Sequence, residues 1–457
     1  MKKLLIVIGA LLIVGCLYFI VQRSSSNKKL DGLNIDDQVA MILESNNCSS
    51  CHAKDAKLPF YASFPIAKGI IAKDVEIGIK NYNIEYLLAN TKSPSVVSLS
   101  MMEGAIGEET MPPLKYSIVH WASALSSKER EIVLQWVKEH RLAKYSTGLN
   151  AEEFAAEPVQ ALVSSIPTDA AKVALGEKLF NDVRLSKDNT VSCATCHSLD
   201  SAGTDRLQFS KGIYGQIGGI NAPTVFNAAF HIEQFWDGRA ADLQAQAGGP
   251  PFDALEMGNS SWDEVIVKLK KDRAFTKEFK AVYPEGYTGD NITDAIAEYE
   301  KTLITPDSRF DQYLKGDLKA LTAEEIEGYE LFKENMCATC HVGEVLGAKS
   351  YEYMGIFANY LEDREMKADR EIIQIKDQGR FNATQNKADL QYFKVPSLRN
   401  VALTAPYFHD GTVASLEEAT ELMFKYETAY KPTPEKVEKI VAFMKTLTGK
   451  FNGEYLK

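Results

Sequence analysis

The sequence is poor in cysteine and histidine, and it has no excess of positive charge. Its 457 residues include 7 cysteines, 7 histidines, 62 acidic and 51 basic residues, which give a formal net charge of −11. So few cysteines exclude a disulfide scaffold at this length. The missing basic excess excludes a nucleic-acid binder, which has to neutralise phosphates. The composition, with 45% hydrophobic and 25% charged residues, excludes a disordered or collagen-like chain.

The longest hydrophobic run of the chain lies within residues 1–23. Two lysines precede 18 consecutive apolar or small residues, and Arg23 ends the run. A helix of this length can cross a bilayer, and the positive charge before it favours a cytoplasmic start. We therefore predict an N-terminal transmembrane anchor in the bacterial inner membrane, with the rest of the chain on the periplasmic side. A lipoprotein anchor at Cys16, or a cleaved signal peptide, is the alternative.

Six of the seven cysteines fall into three copies of the pattern C-x-x-C-H, at residues 48–52, 193–197 and 337–341. This is the attachment motif of c-type haem, in which two thiols bond to the vinyl groups and the adjacent histidine ligates the iron. Three copies disfavour the alternative of a redox dithiol or half a zinc site. The sequence thus predicts three covalently bound haems. Their thioether residues are Cys48, Cys51, Cys193, Cys196, Cys337 and Cys340, and their proximal iron ligands are His52, His197 and His341.

The second and third haem segments belong to an internal repeat. Residues 176–180 (GEKLF) precede the second motif, and residues 328–332 (GYELF) precede the third. Strand patterns are scarce, and helices are predicted at 291–304 and at 434–447. We predict a mainly α fold with three cytochrome-like haem domains in tandem behind the transmembrane helix. The domains are expected at residues 34–146, 160–320 and 321–450.

Few residues remain for the sixth coordination position of each iron. Met111, in a Met-Pro-Pro turn, is the best candidate at the first haem. Met101, Met102 and His120 are alternatives, and a core role for Met111 also stays open. Residues 198–230 contain neither histidine nor methionine, so the second haem would keep an open site for a small molecule. This pattern predicts that the second haem does chemistry while the other two conduct electrons.

Several strings within residues 165–450 resemble the bacterial di-haem cytochrome c peroxidases. They are NAPT with NAAF at residues 221–230, QFWDGR at 234–239, EM at 256–257, and VPSLRNVALTAPYFHDG at 395–411. With its third haem and its anchor, the whole chain resembles the trihaem, membrane-anchored subgroup that includes quinol peroxidase. The resemblance implies an enzyme that reduces hydrogen peroxide to water. Its electrons would come from a membrane quinol or from a small cytochrome c.

The resemblance also implies a role for particular residues. The second haem would be the peroxidatic one, with Glu256 as its acid/base and with Gln246 and Phe235 lining the pocket. Trp236 would carry electrons between the second and third haems. The third haem would transfer electrons, with Met423 as its sixth ligand.

The same resemblance implies a calcium ion at the interface of the two haem domains. Its ligands would be Asn221 and the backbone carbonyls of Thr404 and Pro406. One departure from the family pattern concerns the mobile loop that carries a distal histidine in many members. This chain has Ile-Tyr-Gly at residues 213–215 instead. Activation by release of a histidine is therefore not expected in its usual form, and Tyr214 is a weak candidate for a replacement ligand or lid.

Two other functions stay open on the sequence. A multihaem electron-transfer protein without peroxidase activity would need a sixth ligand at the second haem, and the expected loop offers none. A relative that oxidises a protein substrate would carry tyrosine at the position of Met423.

Overall fold

The computed structural model describes residues 30–56, 58, 60–113, 116, 124–364, 375–428 and 430–457. The chain divides into two compact units, Met1–Lys144 and Tyr145–Lys457. The first unit carries one C-x-x-C-H segment, and the second unit carries the other two. The prediction of three haem domains in tandem is therefore wrong. The boundaries predicted at 160–320 and 321–450 stay a prediction for two halves of the second unit.

The regular secondary structure in the described part of the first unit is helical. Ser126 and Glu129 form a capping box before its last helix. The Glu129 backbone N–H donates to Ser126 Oγ at 3.2 Å, and the Ser126 N–H donates to the Glu129 carboxylate at 2.7 Å. The α-helices are Ile35–Ser45, Ser49–His52, Pro65–Asn81, Glu85–Ala89, Val96–Gly107 and Ser127–Lys144, and a 3₁₀ turn spans Phe60–Ser63.

One glycine sets the packing around the first haem segment. A Cβ atom at Gly78 would lie 2.4 Å from the carbonyl oxygen of Cys51. Only glycine therefore lets the helix Pro65–Asn81 approach this segment so closely. The helix Ser127–Lys144 supplies core side chains to the same unit, with Val133, Trp136 and Val137 buried.

The second unit contains most of the helices in the described chain. Its α-helices are Ala170–Phe180, Cys193–Cys196, Leu243–Ala247, Trp262–Leu269, Arg273–Val282, Gly289–Glu300, Arg309–Leu314, Ala323–Glu334, Cys337–Cys340, Tyr360–Asp363, Phe381–Thr384, Leu416–Met423 and Pro434–Lys445. A π-helical segment spans Phe424–Thr428. The 3₁₀ turns are Glu152–Phe154, Val183–Leu185, Leu199–Ser201, Ile213–Gly215, Ala228–Phe230, Pro250–Phe252, Lys387–Asp389 and Val401–Leu403.

Strands are short in the described residues, as the scarcity of alternating patterns predicts. Tyr351–Tyr353 (β1) pairs antiparallel with Tyr392–Lys394 (β2), and Tyr351 lies opposite Lys394. Lys450–Phe451 (β3) pairs antiparallel with Glu454–Tyr455 (β4).

The internal repeat appears as two helix pairs that cross at a glycine. The helix Ala170–Phe180 packs on Gly289–Glu300, and Ala323–Glu334 packs on Pro434–Lys445. A Cβ at Gly176 would lie 1.9 Å from the carbonyl oxygen of Ala295. A Cβ at Gly328 would lie 2.0 Å from that of Lys439. Both crossings therefore require glycine for the same steric reason.

The aromatic side chains at the two crossings also correspond. Phe180 packs against Tyr299 with ring centroids 5.4 Å apart and an interplanar angle of 60°. Phe332 packs against Phe443 at 5.3 Å and 57°. The two halves of the second unit are thus built on one plan, as the repeated sequence predicts.

Buried polar contacts explain why the two halves form a single unit. Arg399 makes a salt bridge with Asp311 at 2.8 Å, and both side chains are fully buried. The Leu162 N–H donates to Asp311 at 3.0 Å, and Arg399 donates to the Gln160 carbonyl at 3.1 Å. The two ends of the first half, at Gln160 and Leu162 and at Asp311, are therefore bound into the second half. Asn227 and Asn400 both donate to Thr305.

The predicted membrane anchor, residues 1–23, and its alternative at Cys16 lie outside the described residues. Within the part of the chain that the structure describes, no helix is both long enough and apolar enough to span a bilayer. This finding corrects the prediction that a transmembrane helix precedes the fold and anchors it at the inner membrane. Such a helix is not supported.

Candidate active site

The three C-x-x-C-H segments each form a short helical turn with unbridged thiols. The turns are Ser49–His52, Cys193–Cys196 and Cys337–Cys340, and their six cysteines form no disulfides. Burial raises the pKa of the thiols, to about 11 at Cys48 and to about 12 at Cys337. Redox dithiols need a lowered thiol pKa, so these segments do not fit that alternative. Among the described residues, no cluster of three or more His, Cys, Asp or Glu side chains could hold a metal ion.

The histidine of each segment is oriented by a backbone carbonyl. In all three, the ring Nδ1 lies within hydrogen-bond distance of a carbonyl oxygen. A carbonyl accepts only, so Nδ1 carries the proton and Nε2 keeps a lone pair for an iron. The pairs are His52 with Tyr82 at 2.8 Å, His197 with Gly203 at 3.3 Å, and His341 with Leu346 at 3.1 Å. The donor chemistry at all three segments thus fits a covalent haem.

Glu256 lies beside the second haem segment. Burial is the main cause that raises the pKa of both thiols there, Cys193 and Cys196, and the negative charge of Glu256 adds to it, so the carboxylate lies within electrostatic reach of the segment. The backbone carbonyl of Glu256 accepts from the Ile213 N–H at 2.9 Å, so the residue is tied to the loop after that segment. Met257, the next residue, is 2% exposed in the hydrophobic core and is not available as an iron ligand.

Two opposing effects set the protonation of Glu256. Burial, with the negative charge of Asp253, raises its pKa to about 7. The positive charges of Arg239 and Lys376 act in the opposite direction. The carboxyl group is therefore poised to accept and release a proton near neutral pH.

Phe235, Arg239 and Gln246 form one group of neighbours near this carboxylate. The Arg239 guanidinium lies 3.5 Å from the centroid of the Phe235 ring, and it is held by Asp237 at 3.0 Å. A Cβ at Gly249 would lie 3.3 Å from Phe235 and 3.4 Å from the carbonyl oxygen of Gln246. Phe235 and Gln246 therefore meet at this glycine.

The loop that lacks a distal histidine exposes its tyrosine. Tyr214 is 69% exposed, and its backbone is left-handed at φ 54°. The loop runs close to Glu256, because a Cβ at Gly212 would lie 1.8 Å from the Leu255 carbonyl oxygen. A side chain so exposed is not arranged as an iron ligand within a pocket.

Trp236 lies between the two halves of the second unit. Its indole Nε1–H donates to the Asn221 carbonyl at 3.0 Å. Its own carbonyl accepts from the Lys394 N–H at 2.9 Å. The indole ring meets the His409 ring edge-on, with centroids 6.3 Å apart. His409 is itself bound to Asp377 at 2.8 Å, which agrees with a hydrogen-bonding role.

Asn221, the predicted calcium ligand that contributes a side chain, lies at the same junction. The Asn221 Nδ2 donates to the carbonyls of Leu207 and Gln208, at 2.9 and 3.4 Å. This orientation leaves Oδ1 as the atom for a cation. Together with the carbonyls of Thr404 and Pro406, it would give an all-oxygen set, which suits calcium.

The two methionines predicted as iron ligands are half-buried. Met423 is the last residue of the helix Leu416–Met423, where the backbone passes into the π-helical segment. Such π segments are frequent at functional sites. Met111 follows the helix Val96–Gly107, and its N–H donates to Ala105 at 3.2 Å.

The alternatives to Met111 as the sixth ligand are Met101, Met102 and His120. Met101 and Met102 are buried within the helix Val96–Gly107, at 7% and 5% exposure. His120 lies outside the described residues. Met111 is therefore the more accessible of the three methionines in this region.

Sequence reasoning missed two basic residues of the site. Arg239 lies within the string at 234–239, but the effect of its charge on Glu256 appears only in the folded chain. Lys376 comes from the other half of the unit, so no local pattern connects it with Glu256.

Two family models match parts of this chain. A family model described as di-haem cytochrome c peroxidase matches residues 170–319, and a haem-binding domain model matches residues 11–139. Cytochrome c peroxidase Ccp of Escherichia coli is 47% identical over 91% of this chain and 88% of its own length. Cytochrome c551 peroxidase of Nitrosomonas europaea is 44% identical, over 64% of this chain and 84% of its own length.

Solved structures give the same fold. A MauG-like protein associated with microbial copper homeostasis aligns with a TM-score of 0.54 and 29% identity, covering 62% of this chain and 91% of that one. The di-haem peroxidase BthA of Burkholderia thailandensis aligns with a TM-score of 0.52 and 21% identity, covering 63% of this chain and 89% of its own. This second likeness concerns the fold alone.

The relatives at 42–47% identity confirm the resemblance to the di-haem cytochrome c peroxidases, the enzyme class and the reduction of hydrogen peroxide predicted from the sequence. The chain belongs to the di-haem cytochrome c peroxidase family and is a haem peroxidase that reduces hydrogen peroxide.

Proposed function

We propose that peroxide is reduced at the haem attached to Cys193 and Cys196, with His197 as its proximal ligand. When bound, this haem would supply an iron with an open coordination position and, with the haem of the other half, the two electrons of the reaction. The observation that carries the proposal is Glu256, a carboxyl group with a pKa near 7 beside this segment.

Glu256 would move the proton that the reaction requires. Two electrons and two protons convert hydrogen peroxide to two molecules of water. A carboxyl group that is partly ionised at neutral pH can take a proton from the inner oxygen of peroxide and deliver it to the outer one. Water then leaves as the bond between the oxygens breaks.

Arg239 and Phe235 would keep this proton carrier in its working state. The guanidinium is fixed between Phe235 and Asp237, so its charge acts on Glu256 from a constant position. Without that charge, burial and Asp253 would raise the pKa of Glu256 further and keep it protonated. Gln246 would line the same pocket.

Trp236 would carry electrons between the two halves of the second unit. Its hydrogen bond to Asn221 and its contact with His409 fix the ring at their junction. The haem of the second half would be held by Cys337, Cys340 and His341. Met423 would be its sixth ligand, since a thioether raises the haem potential and suits electron transfer.

A third haem would bind in the first unit, as in the trihaem subgroup of the family. The support is the segment 48–52, with His52 bonded to the Tyr82 carbonyl, and the haem-binding domain match over residues 11–139. Met111 would be the sixth ligand. A calcium ion would bind Asn221 with the carbonyls of Thr404 and Pro406.

We propose a small cytochrome c as the electron donor, because the most similar relatives reported above carry that name. The quinol predicted from the sequence is tested in the same assay. Turnover of peroxide is measured with reduced cytochrome c and, separately, with a quinol analogue. Oxidation of the quinol alone would contradict a cytochrome donor.

The experiment that tests the site is Glu256→Gln, assayed for peroxide turnover in the holoprotein with its haem content verified. We expect kcat/KM to fall by about 10²–10⁴-fold, the usual contribution of a positioned acid/base. Glu278→Gln is the matched control, because Glu278 forms a surface pair with Lys178, and it should leave turnover unchanged. Full activity of Glu256→Gln would contradict the role. Absence of turnover in the unsubstituted protein would favour a pure electron-transfer function.

A further inference from the structure

A buried lysine lies where the two halves of the second unit meet. Lys394 ends the strand β2 and is 7% exposed. Its ammonium donates to the Glu233 carbonyl at 2.8 Å and contacts Nδ1 of His231 at 3.3 Å. Its backbone N–H is bonded to Trp236. The charge therefore lies next to the residue that we propose as the electron path.

No carboxylate of the described residues lies within ion-pair distance of this ammonium. The two carboxylates whose charges act on the pKa of Lys394, Asp237 and Glu233, are each paired with an arginine. Glu233 pairs with Arg380 at 2.6 Å, and Asp237 pairs with Arg239 at 3.0 Å. Burial lowers the pKa of Lys394 to about 7, against the opposing charges of Asp237 and Glu233. A buried cation without a counter-charge is costly in a folded protein.

The histidine beside Lys394 adds a second donor to the same place. An ammonium only donates, so Nδ1 of His231 accepts and Nε2 carries the ring proton. That Nε2 is buried, with no hydrogen-bond partner among the described residues. Burial and the charges of Lys394 and Lys349 lower the pKa of His231 well below its usual range, so the ring is neutral. The side chains at this place therefore have more hydrogen-bond donors than acceptors.

An ammonium has three N–H groups, and the structure assigns two of them. The third requires an acceptor, and the uncompensated charge favours an anionic one. Each haem attached in this unit would carry two propionate carboxylates, and a carboxylate is an anionic acceptor. A carboxylate next to Lys394 would restore the charge balance of the cluster.

We propose that Lys394 binds a haem propionate carboxylate beside Trp236 and that His231 acts as its positioning residue by accepting one ammonium N–H. The inference rests on haem being attached in this unit. It does not depend on the acid/base role of Glu256. A cation held against a haem favours the state with one more electron, so Lys394 raises the reduction potential of that haem.

The test is Lys394→Gln in the holoprotein, with haem content measured first and the potential of each haem measured by spectroelectrochemical titration. We expect the potential of a haem in the second unit to fall by at least the 59 mV that corresponds to a tenfold change in a one-electron equilibrium. Lys394→Arg should recover most of the fall, because it keeps the charge. Lys439→Gln is the matched control, since Lys439 pairs with Glu327 at 2.8 Å and with Glu435 at 2.7 Å, and it should change none of the potentials.

Two further measurements test the proposal if the Lys394→Gln variant does not incorporate haem. His231→Ala keeps the lysine but removes its acceptor, and it should lower the same potential by a smaller amount. Excess sodium acetate should not change the unsubstituted protein, because a covalently attached carboxylate cannot be displaced. Unchanged potentials in a haem-replete variant would overturn the proposal. An acetate-dependent potential would overturn it too, because it would indicate a free anion. Incomplete haem attachment in the unsubstituted protein would instead refute the proposed function.

Discussion

The two halves of the second unit share a scaffold and differ at the positions that decide their chemistry. Each crosses two helices at a glycine, Gly176 or Gly328, and each bonds its haem histidine to a backbone carbonyl. The first half places an ionisable carboxyl, Glu256, beside its haem segment. The second half ends a helix at Met423 instead. We infer that the shared scaffold serves a catalytic haem in the first half and an electron-conducting haem in the second. The difference comes from Glu256 in the one half and Met423 in the other.

The comparison extends to a buried position one residue beyond the aromatic pair at each crossing. In the first half this residue is Glu300, and in the second half it is Met444, which is 4% exposed in the core. Burial raises the pKa of Glu300 to about 8, and its Oε2 has no hydrogen-bond partner among the described residues. The first half therefore carries a stability cost that the second half avoids.

The largest expected effect on stability comes from exchanging this residue, Glu300→Met. A carboxyl whose pKa is raised on folding binds more protons when folded, so stability falls as pH rises from about 4.5 in the unfolded chain to about 8. Glu300→Met should remove that fall and stabilise the protein at pH 8 by on the order of a few kcal/mol. Thermal unfolding at pH 5 and pH 8 measures it, with Glu278→Gln as the exposed control. An unaltered pH dependence would contradict the assignment.

A smaller and symmetric effect is expected at the two glycines. Gly176→Ala and Gly328→Ala each force a Cβ against a backbone carbonyl, and overpacking of this kind costs about 1–3 kcal/mol. Both variants should lower the melting temperature by similar amounts. Gly248→Ala, where a Cβ would have 3.5 Å to its nearest neighbour, is the control. A large effect in one half only would show that the two crossings are not equivalent.

Trp236→Phe should slow electron transfer between the haems of the two halves and leave the fold of each half unchanged. Loss of the indole removes the hydrogen bond to Asn221 and the ring proposed as the electron path. We expect kcat to fall about tenfold, which is about 1.4 kcal/mol of barrier. Trp262→Phe, at a tryptophan that packs on Phe252 away from the junction, should have little effect. Stopped-flow reduction of each haem would detect slowed transfer, and unchanged transfer would exclude Trp236 as the path.

The sequence predicts the repeat and the helix starts well, because both depend on local signals. Thr433 caps the helix Pro434–Lys445 as its position before proline indicates, and its side chain accepts from the Lys436 N–H. The predicted helix over 291–304 is observed as Gly289–Glu300, four residues shorter at its end. These features need no information from distant parts of the chain.

The number of compact units could not be predicted in this way. The two halves are joined by Arg399 and Asp311 and by the segment around Gln160 and Leu162, and these contacts join residues far apart in the chain. The electrostatic partners of Glu256 and the isolation of Lys394 escape sequence reasoning for the same reason. The anchor was predicted from a hydrophobic run that lies outside the described residues.

The most direct test of the comparison is cyanide binding to the oxidised holoprotein, resolved by haem with electron paramagnetic resonance. A cyanide site in the first half, whose affinity changes in Glu256→Gln, is the result we predict. Met423→Ala should add a further site, at the haem of the second half. The account is contradicted if the unsubstituted protein binds no cyanide, or if its only site is indifferent to Glu256→Gln.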